Sequence, residues 1–374
     1  MNDSRGPADA AADIDNAGDD AIDIAGVARR LTDADAGGWT DTGARALVAD
    51  LGWTWRDTPD GPVADTGHWG GAPGSTARLR PVDRLTERHT SGETYLELAV
   101  PLAASPAGEP ALDAALFRAV RGLLTDVLGE PTVIGSHGSL GPMYGPTAPW
   151  GAPYLRWRGE PDSLELRAGR GGPELVLMPT GPIENWFWRL GVGEEYSIDG
   201  YFGANRDPRN GGLGFPGGWY AQSWDTVVRS VGGFLDTVAA ETLALGHGIS
   251  MPVYGRGAGS GAPLLFDIDA RGSLGLATFA NEYAPELDLR ALGWGQPADH
   301  PRLLDEVWPD AYDPRWRVDA GGPGAADGRA LAEMLVATAR AAGVAEPRDL
   351  IVGGEAESVG PYDVRFYGLG LPTG

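Results

Sequence analysis

Between Trp224 and Leu245 the apolar residues recur at the spacing of an α-helix. Trp224, Val227, Val228, Val231, Phe234, Leu235, Val238, Thr242 and Leu245 fall on one face, and Gly246 closes the run. A helix with so wide an apolar face is stable only when other elements cover it, so whatever fold forms here must be built against this segment. It is expected to be the most buried element of the C-terminal half.

The remaining segments supply both helices and short strands. A short helix is expected over Ile22–Leu31, and a clearer one from about Thr40, with Ala44, Leu47, Val48 and Leu51 on one face and Gly52 as its stop. Strands are expected at Ala77–Val82 and Thr94–Leu102; in the latter, Tyr95, Glu97 and Ala99 alternate with Leu96, Leu98 and Val100. Pro110 opens a helix that Gly129 and Pro131 end. A Gly/Pro-rich loop, Gly135–Pro153, leads to three short strands at Tyr154–Arg158, Ser163–Arg167 and Glu174–Met178. After the long helix, Pro263–Asp269 and Ser273–Ala280 read as a hairpin, and a last helix runs from about Ala326 to Ala342. Helices interleaved with antiparallel strands make the expected class α+β.

The chain has 374 residues, which at ~150 residues per domain suggests two. The expected organisation is a flexible acidic tail over 1–20, an N-terminal α+β domain over 21–181, a Trp/Gly-rich connector over 182–218 and a C-terminal α+β domain over 219–374. In each domain an antiparallel sheet would pack against helices. Leu51-Gly52-Trp53 and Leu292-Gly293-Trp294 match one another, but their contexts differ and no repeat is inferred.

Composition excludes several chemistries. There is no Cys, which removes disulfides, thiolate metal sites and thiol nucleophiles. All 29 basic residues are Arg, so lysine Schiff bases and the lysine of a phosphate-binding loop are absent too. With 52 acidic residues the net charge is −23, which opposes nucleic acid and anionic membrane as partners. No apolar run has the length of a signal core or a membrane span, so a cytoplasmic location is expected.

Specific motifs fare poorly. Gly257 to Ala262 satisfies G-x-G-x-x-A, yet Pro263 and a strand-like run follow where a dinucleotide site needs a helix N-terminus. Asp267-x-Asp269 with Gly272 begins like a calcium loop, but Arg271 and Thr278 occupy ligand positions. The histidines, His68, His89, His137, His247 and His300, form no close metal spacing. His137 could act as a base, but no Ser stands in a nucleophile elbow. Glu194-Glu195 and Asp305-Glu306 could support glycoside chemistry, although an acidic chain contains such pairs by accident. No catalytic residue, metal ligand or cofactor is therefore assigned.

The 13 tryptophans divide by context. Trp224 lies on an apolar helix face, and Trp53, Trp55, Trp157 and Trp294 suit strands or strand ends. Trp186, Trp188 and Trp219 flank the Gly-rich segment and are harder to bury locally, which makes them the candidate protein interface.

Two resemblances complete the reading. Residues of about 40–180 resemble an actinobacterial family of unknown function. They share with it L-G-W-x-W (Leu51 to Trp55), a helix ending L-G-E-P (Leu128 to Pro131), R-W-x-G (Arg156 to Gly159) and a strand like Ser163–Arg167. Residues of about 219–352 resemble the TY-Chap group, named for type III secretion chaperone-like and YbjN-like domains. The features in order are the helix Trp224–Leu245, the strand pair within Leu264–Ala280, Asn281-Glu282-Tyr283, L-x-x-L-G-W (Leu289 to Trp294), Gln296-Pro297, and the helix Leu331–Ala342 with its Gly343 to Pro347 exit. The resemblance implies small α+β sandwiches that bind other proteins, similar to secretion chaperones, and carries no catalytic residues. The expected function is a non-enzymatic protein-binding module. It would be a chaperone-like or immunity-like partner of an actinobacterial secreted or toxin-type protein, with a basic protein steered by the acidic surface. The alternative is a carboxylate-dependent hydrolase with Trp186, Trp188 and Trp219 lining a glycan cleft.

Overall fold

The computed structural model describes residues 23–67, 76–105, 108–138, 143–144, 148–191, 194, 202–206, 219–257, 261–296, 316–353, 356–359 and 362–373. The acidic stretch 1–20, His68, Glu195, His300, Asp305-Glu306, Pro297 and most of 206–218 lie outside the described residues.

The helices begin and end where local chemistry directs. They are α1 (Ile24–Thr32), α2 (Asp41–Asp50), α3 (Pro110–Leu128), α4 (Thr180–Gly191), α5 (Trp224–Leu245) and α6 (Gly328–Ala341). Side-chain oxygens of Asp23, Thr40, Ser223 and Asp327 accept from backbone amides in the first turns of α1, α2, α5 and α6. Gly246 ends α5 in the left-handed region (φ 63°), a conformation that costs glycine little.

The strands form two antiparallel sheets. The larger has eleven strands among the described residues. In spatial order they are β1 (Thr54–Thr58), β2 (Gly61–Asp65), β3 (Thr76–Pro81), β4 (Tyr95–Pro101), β8 (Gly172–Pro179), β7 (Asp162–Gly169), β6 (Pro153–Trp157), β5 (Val133–Ser136), β9 (Phe202–Asn205), β16 (Tyr362–Phe366) and β15 (Ala356–Val359). The smaller has five, in the order β13 (Trp316–Gly321), β12 (Leu274–Thr278), β11 (Leu264–Ala270), β10 (Ile249–Gly255) and β14 (Leu350–Val352). The α+β class and the hairpin of β11 with β12 stand as expected.

Helix α5 is the spine between the sheets. It packs on β5 and β6 of the large sheet, on β11 and β12 of the small one, and on α3 and α6. Its approach to α6 is close: a Cβ on Gly328 would come within 2.2 Å of the Gly232 carbonyl oxygen, so only glycine fits there. Phe234, Leu235 and Val238 are fully enclosed in one core cluster that also takes in Leu98, Leu166 and Leu177 of the large sheet and Leu274 and Leu276 of the small one.

The expected joint at 182–218 is not where the sheets divide. Residues 180–191 form helix α4, and β9 pairs with β5 while β16 pairs with β9. Strands from the end of the chain thus complete the sheet begun in the first half. The sequence offers no cue for this, because β9, with four residues, is too short to show a periodicity.

Alternation assigns the two faces of the large sheet. Leu164, Leu166, Leu175 and Leu177 face the helices, whereas Glu165, Arg167, Glu174 and Val176 face the other way. Strand β4 departs from the strict alternation expected over Thr94–Leu102. A bulge opposite Arg80/Pro81 breaks the register, so Tyr95 joins the helix-side core while Leu96 packs with Ala99 on the other face.

Candidate functional site

The face of the large sheet turned away from α5 carries an ionic ladder that no local stretch of sequence contains. On β7, Arg167 donates from Nη1 and Nη2 to the two carboxylate oxygens of Glu97 on β4, at 2.8 and 2.7 Å. Its Nη2 also lies 3.6 Å from Glu174 Oε2 on β8, and Glu174 Oε1 accepts from Arg78 on β3. Four adjacent strands are therefore tied by alternating charge. The bidentate pairing uses the planar fork that guanidinium offers and ammonium does not.

One step along the sheet lies a second, buried group. Arg156 on β6 donates from Nε and Nη2 to Glu165 Oε2 at 2.9 and 2.6 Å, and from Nη2 to the Tyr144 hydroxyl at 2.8 Å. His137, just after β5, stacks flat on Tyr154 with ring centroids 3.7 Å apart and leans on Tyr144 at 3.6 Å. The stack needs Gly135: a Cβ there would meet the Tyr154 ring at 2.9 Å. His137 Nε2 is 3.8 Å from Glu165 Oε1, too far for a hydrogen bond.

The charge states follow from this geometry. Burial alone would raise the Glu165 carboxyl, but the Arg156 guanidinium overrides it and holds the group down to about 2. His137 is pushed down to about 4 by burial, which the neighbouring Glu165 only partly offsets, while Arg156 and Arg167 add to the depression. Near neutral pH the cluster is thus an ion pair beside an uncharged imidazole.

In front of these groups opens a cavity of about 500 Å³. Ala99 of β4, Pro62 and Val63 of β2, and His137 and Tyr144 of the buried group all line it. Arg78, Arg80, Arg167 and Arg170 line it together with Asp60, Glu97 and Glu174. The volume is that of a small-ligand site.

The segments that carry His137 and Pro153 are braced from the helix side. Glu241 of α5, fully buried, accepts from the Ser136 hydroxyl at 2.6 Å and from the Ala152 amide at 3.0 Å. These residues precede His137 and Pro153, both of which line the cavity. With only neutral donors nearby, burial pushes the Glu241 carboxyl up to about 7.

The three tryptophans expected at an interface are placed differently from one another. Trp186 is a correction: it is 4% exposed, packed with Tyr144 and Phe187 in the small cluster on the open face, because α4 turns that side of the helix inward. Trp219 is half-buried against the main core, beside Gly370. Trp188, two residues on from Trp186 and so on the opposite side of α4, is 53% exposed. The structure does not gather them into a cleft.

His89 is buried beneath α4, where its carbonyl accepts from Asn185, and His247 contacts Arg121 past the end of α5. Gly257 and Gly261 lie between strands β10 and β11, and residues 258–260 are outside the described residues. Asp269 pairs with Arg271 at the hairpin turn. Among the described residues no group of three or more potential metal ligands is formed, and no helix is long and apolar enough to cross a membrane.

Sequence reasoning missed Glu97, Arg156, Glu165, Arg167 and Glu174 as a set. The available signal was charge at every second position of strands that are otherwise leucine-rich, as in Leu164-Glu165-Leu166-Arg167. No family model, curated protein or solved structure matches the chain.

Proposed function

We propose that this protein acts by binding and not by catalysis, and that its partner is received at the cavity on the open face of the large sheet. One observation carries the reading. The two buried carboxylates that line the cavity, Glu97 and Glu174, are already engaged by Arg167 and Arg78. A hydrolase of the glycosidase type needs one carboxyl to donate a proton and another to attack or activate water, and both must be available to substrate. Here they hold strands together instead. The ionic ladder keeps the walls in place before anything binds, which lowers the ordering cost of recognition.

The kind of partner follows from the resemblance to chaperone-like families: another protein, bound in a chaperone-like or immunity-like role, that places one side chain or chain end in the cavity. Trp188 is the tryptophan left to support such an interface from the surface. A photo-activatable residue at Asp60, on the rim, tests this in the producing cells. The expected result is cross-linking to a discrete protein, with yield falling when Ala99→Phe narrows the cavity. Absence of any specific cross-link, together with turnover of a glycan substrate, would favour the hydrolase.

A further inference from the structure

We infer that the cavity recognises an uncharged group that donates a hydrogen bond, a hydroxyl or carboxamide on an apolar body, and that His137 Nδ1 is the atom that receives it. The inference rests on the cavity being the binding site and assigns the chemistry of what enters it. His137 lines the cavity and is 8% exposed. Its two ring nitrogens are placed differently. Nε2 is sealed from solvent without a hydrogen bond and faces Glu165 Oε1, itself sealed and unbonded, across 3.8 Å. Nδ1 has no hydrogen bond either, but it is not sealed. On a ring that lines the cavity, this is the nitrogen a ligand can reach.

The tautomer follows from the neighbours. An ionised carboxylate can only accept, so an Nε2 lone pair turned toward Glu165 would set two acceptors against one another. The ring proton therefore sits on Nε2, and Nδ1 carries the lone pair. Glu165 favours a proton on the ring, whereas burial, Arg156 and Arg167 oppose a second one, so the ring stays uncharged near neutral pH. Tyr154 and Tyr144 pack against the imidazole and fix its plane.

The rest of the lining asks for no net charge. Both oxygens of Glu97 are occupied by Arg167, Glu174 lies between Arg78 and Arg167, and Arg80 donates to the Met143 carbonyl. Asp60 and Arg170 are exposed and unpaired among the described residues, one of each sign. Arg78 commits only Nη2 to Glu174 and can donate from Nε and Nη1 to the acceptor that a hydroxyl or carboxamide also carries. Pro62, Val63, Leu79, Pro81 and Ala99 supply the surface for an apolar body. Two sources share this chemistry, a free small molecule and a side chain of a polypeptide.

Benzamide and acetophenone differ only in the amino group that donates, and benzoate and benzamidine put opposite charges on the same ring. Calorimetric titration of the full chain near neutral pH should give benzamide a Kd about tenfold lower than each of the other three. The ring nitrogen resonances of His137 should show the proton on Nε2 and a shift at Nδ1 when benzamide binds. His137→Phe keeps a ring beside Tyr154 and Tyr144 and removes both nitrogens, so it should bring benzamide and acetophenone within about twofold of each other. Acetophenone or either charged compound binding as tightly as benzamide overturns the inference. So does a proton on Nδ1, a preference for benzamide that survives His137→Phe, or no binding of benzamide at millimolar concentration. Benzamide binding unchanged by Ala99→Phe places the site elsewhere and removes the cavity reading itself. N-acetyltyrosinamide and N-acetylphenylalaninamide separate the sources. Tighter binding of the tyrosine compound supports a polypeptide side chain, and binding of benzamide without that preference supports a free small molecule.

Discussion

Glu165 and Glu241 are both fully buried and approach the same stretch of sheet from opposite faces, yet their carboxyl groups behave in opposite ways. Glu165 has a guanidinium against it and is held down to about 2; Glu241 has only neutral donors, the Ser136 and Thr237 hydroxyls and the Ala152 amide, and is pushed up to about 7. Burial is the same for both and disfavours charge in each. The sign of the shift is decided by whether a cation shares the enclosure, because Coulomb attraction strengthens as the surroundings lose water. The open face can therefore keep permanent charge, while the helix face tolerates a carboxyl by keeping its proton.

Breaking each side of the comparison should give the largest effects. On the helix side Phe234→Ala, at a fully enclosed ring, should cost about 3–5 kcal/mol in chemical denaturation. A loss under about 1 kcal/mol would remove α5 from its place at the centre of the core. On the open face Arg156→Met should cost a similar 3–5 kcal/mol or so, because it strands the Glu165 charge. The Arg156→Met/Glu165→Met double variant should recover most of that. If it does not, the Arg156 contacts to the rings of Tyr154 and Phe187 matter more than the ion pair.

A smaller effect tests Glu241 directly. The folded state keeps its proton up to about 7, whereas the unfolded chain releases it near the ordinary 4.5. Folding then takes up a proton within that window, so stability falls as pH rises through it and levels off above. Relative to Glu241→Gln, the wild type should lose about 2.5 kcal/mol between pH 5 and pH 8. Parallel pH profiles for the two proteins would mean that Glu241 is charged in the fold. The smallest change is expected at Trp188→Ala, which should move stability by less than about 0.5 kcal/mol, while Trp186→Ala, at a buried ring of the same helix, costs about 3–5 kcal/mol. Equal effects would erase the distinction between the two sides of α4.

The candidate site was only partly legible. His137 could be named as a base from its surroundings in sequence, but its partners stand on β6 and β7 and in the segment before them, and nothing near residue 137 announces a carboxylate. The tryptophans were visible as a surplus, yet Trp186 and Trp188 look alike in a segment read as a Trp/Gly-rich connector. Once that segment is helix α4, residues two apart point to different sides, and one is buried while the other is exposed.

By itself the sequence determined the elements whose stabilising contacts are close in the chain. The apolar face of Trp224–Leu245, the caps at Thr40 and Ser223, the stops at Gly129 and Gly246 and the turn of the β11–β12 hairpin all depend on neighbours a few residues away. Only the tertiary structure decided that β9 and β16 extend the first sheet, that Arg167 meets Glu97 across 70 positions of sequence, and that Glu241 braces Ser136 across 105. Those contacts are set by strand register and by how α5 lies between two sheets. A one-residue shift of register would turn every charged side chain of the ladder into the apolar core, and the penalty for burying unpaired charge there is what fixes the pairing.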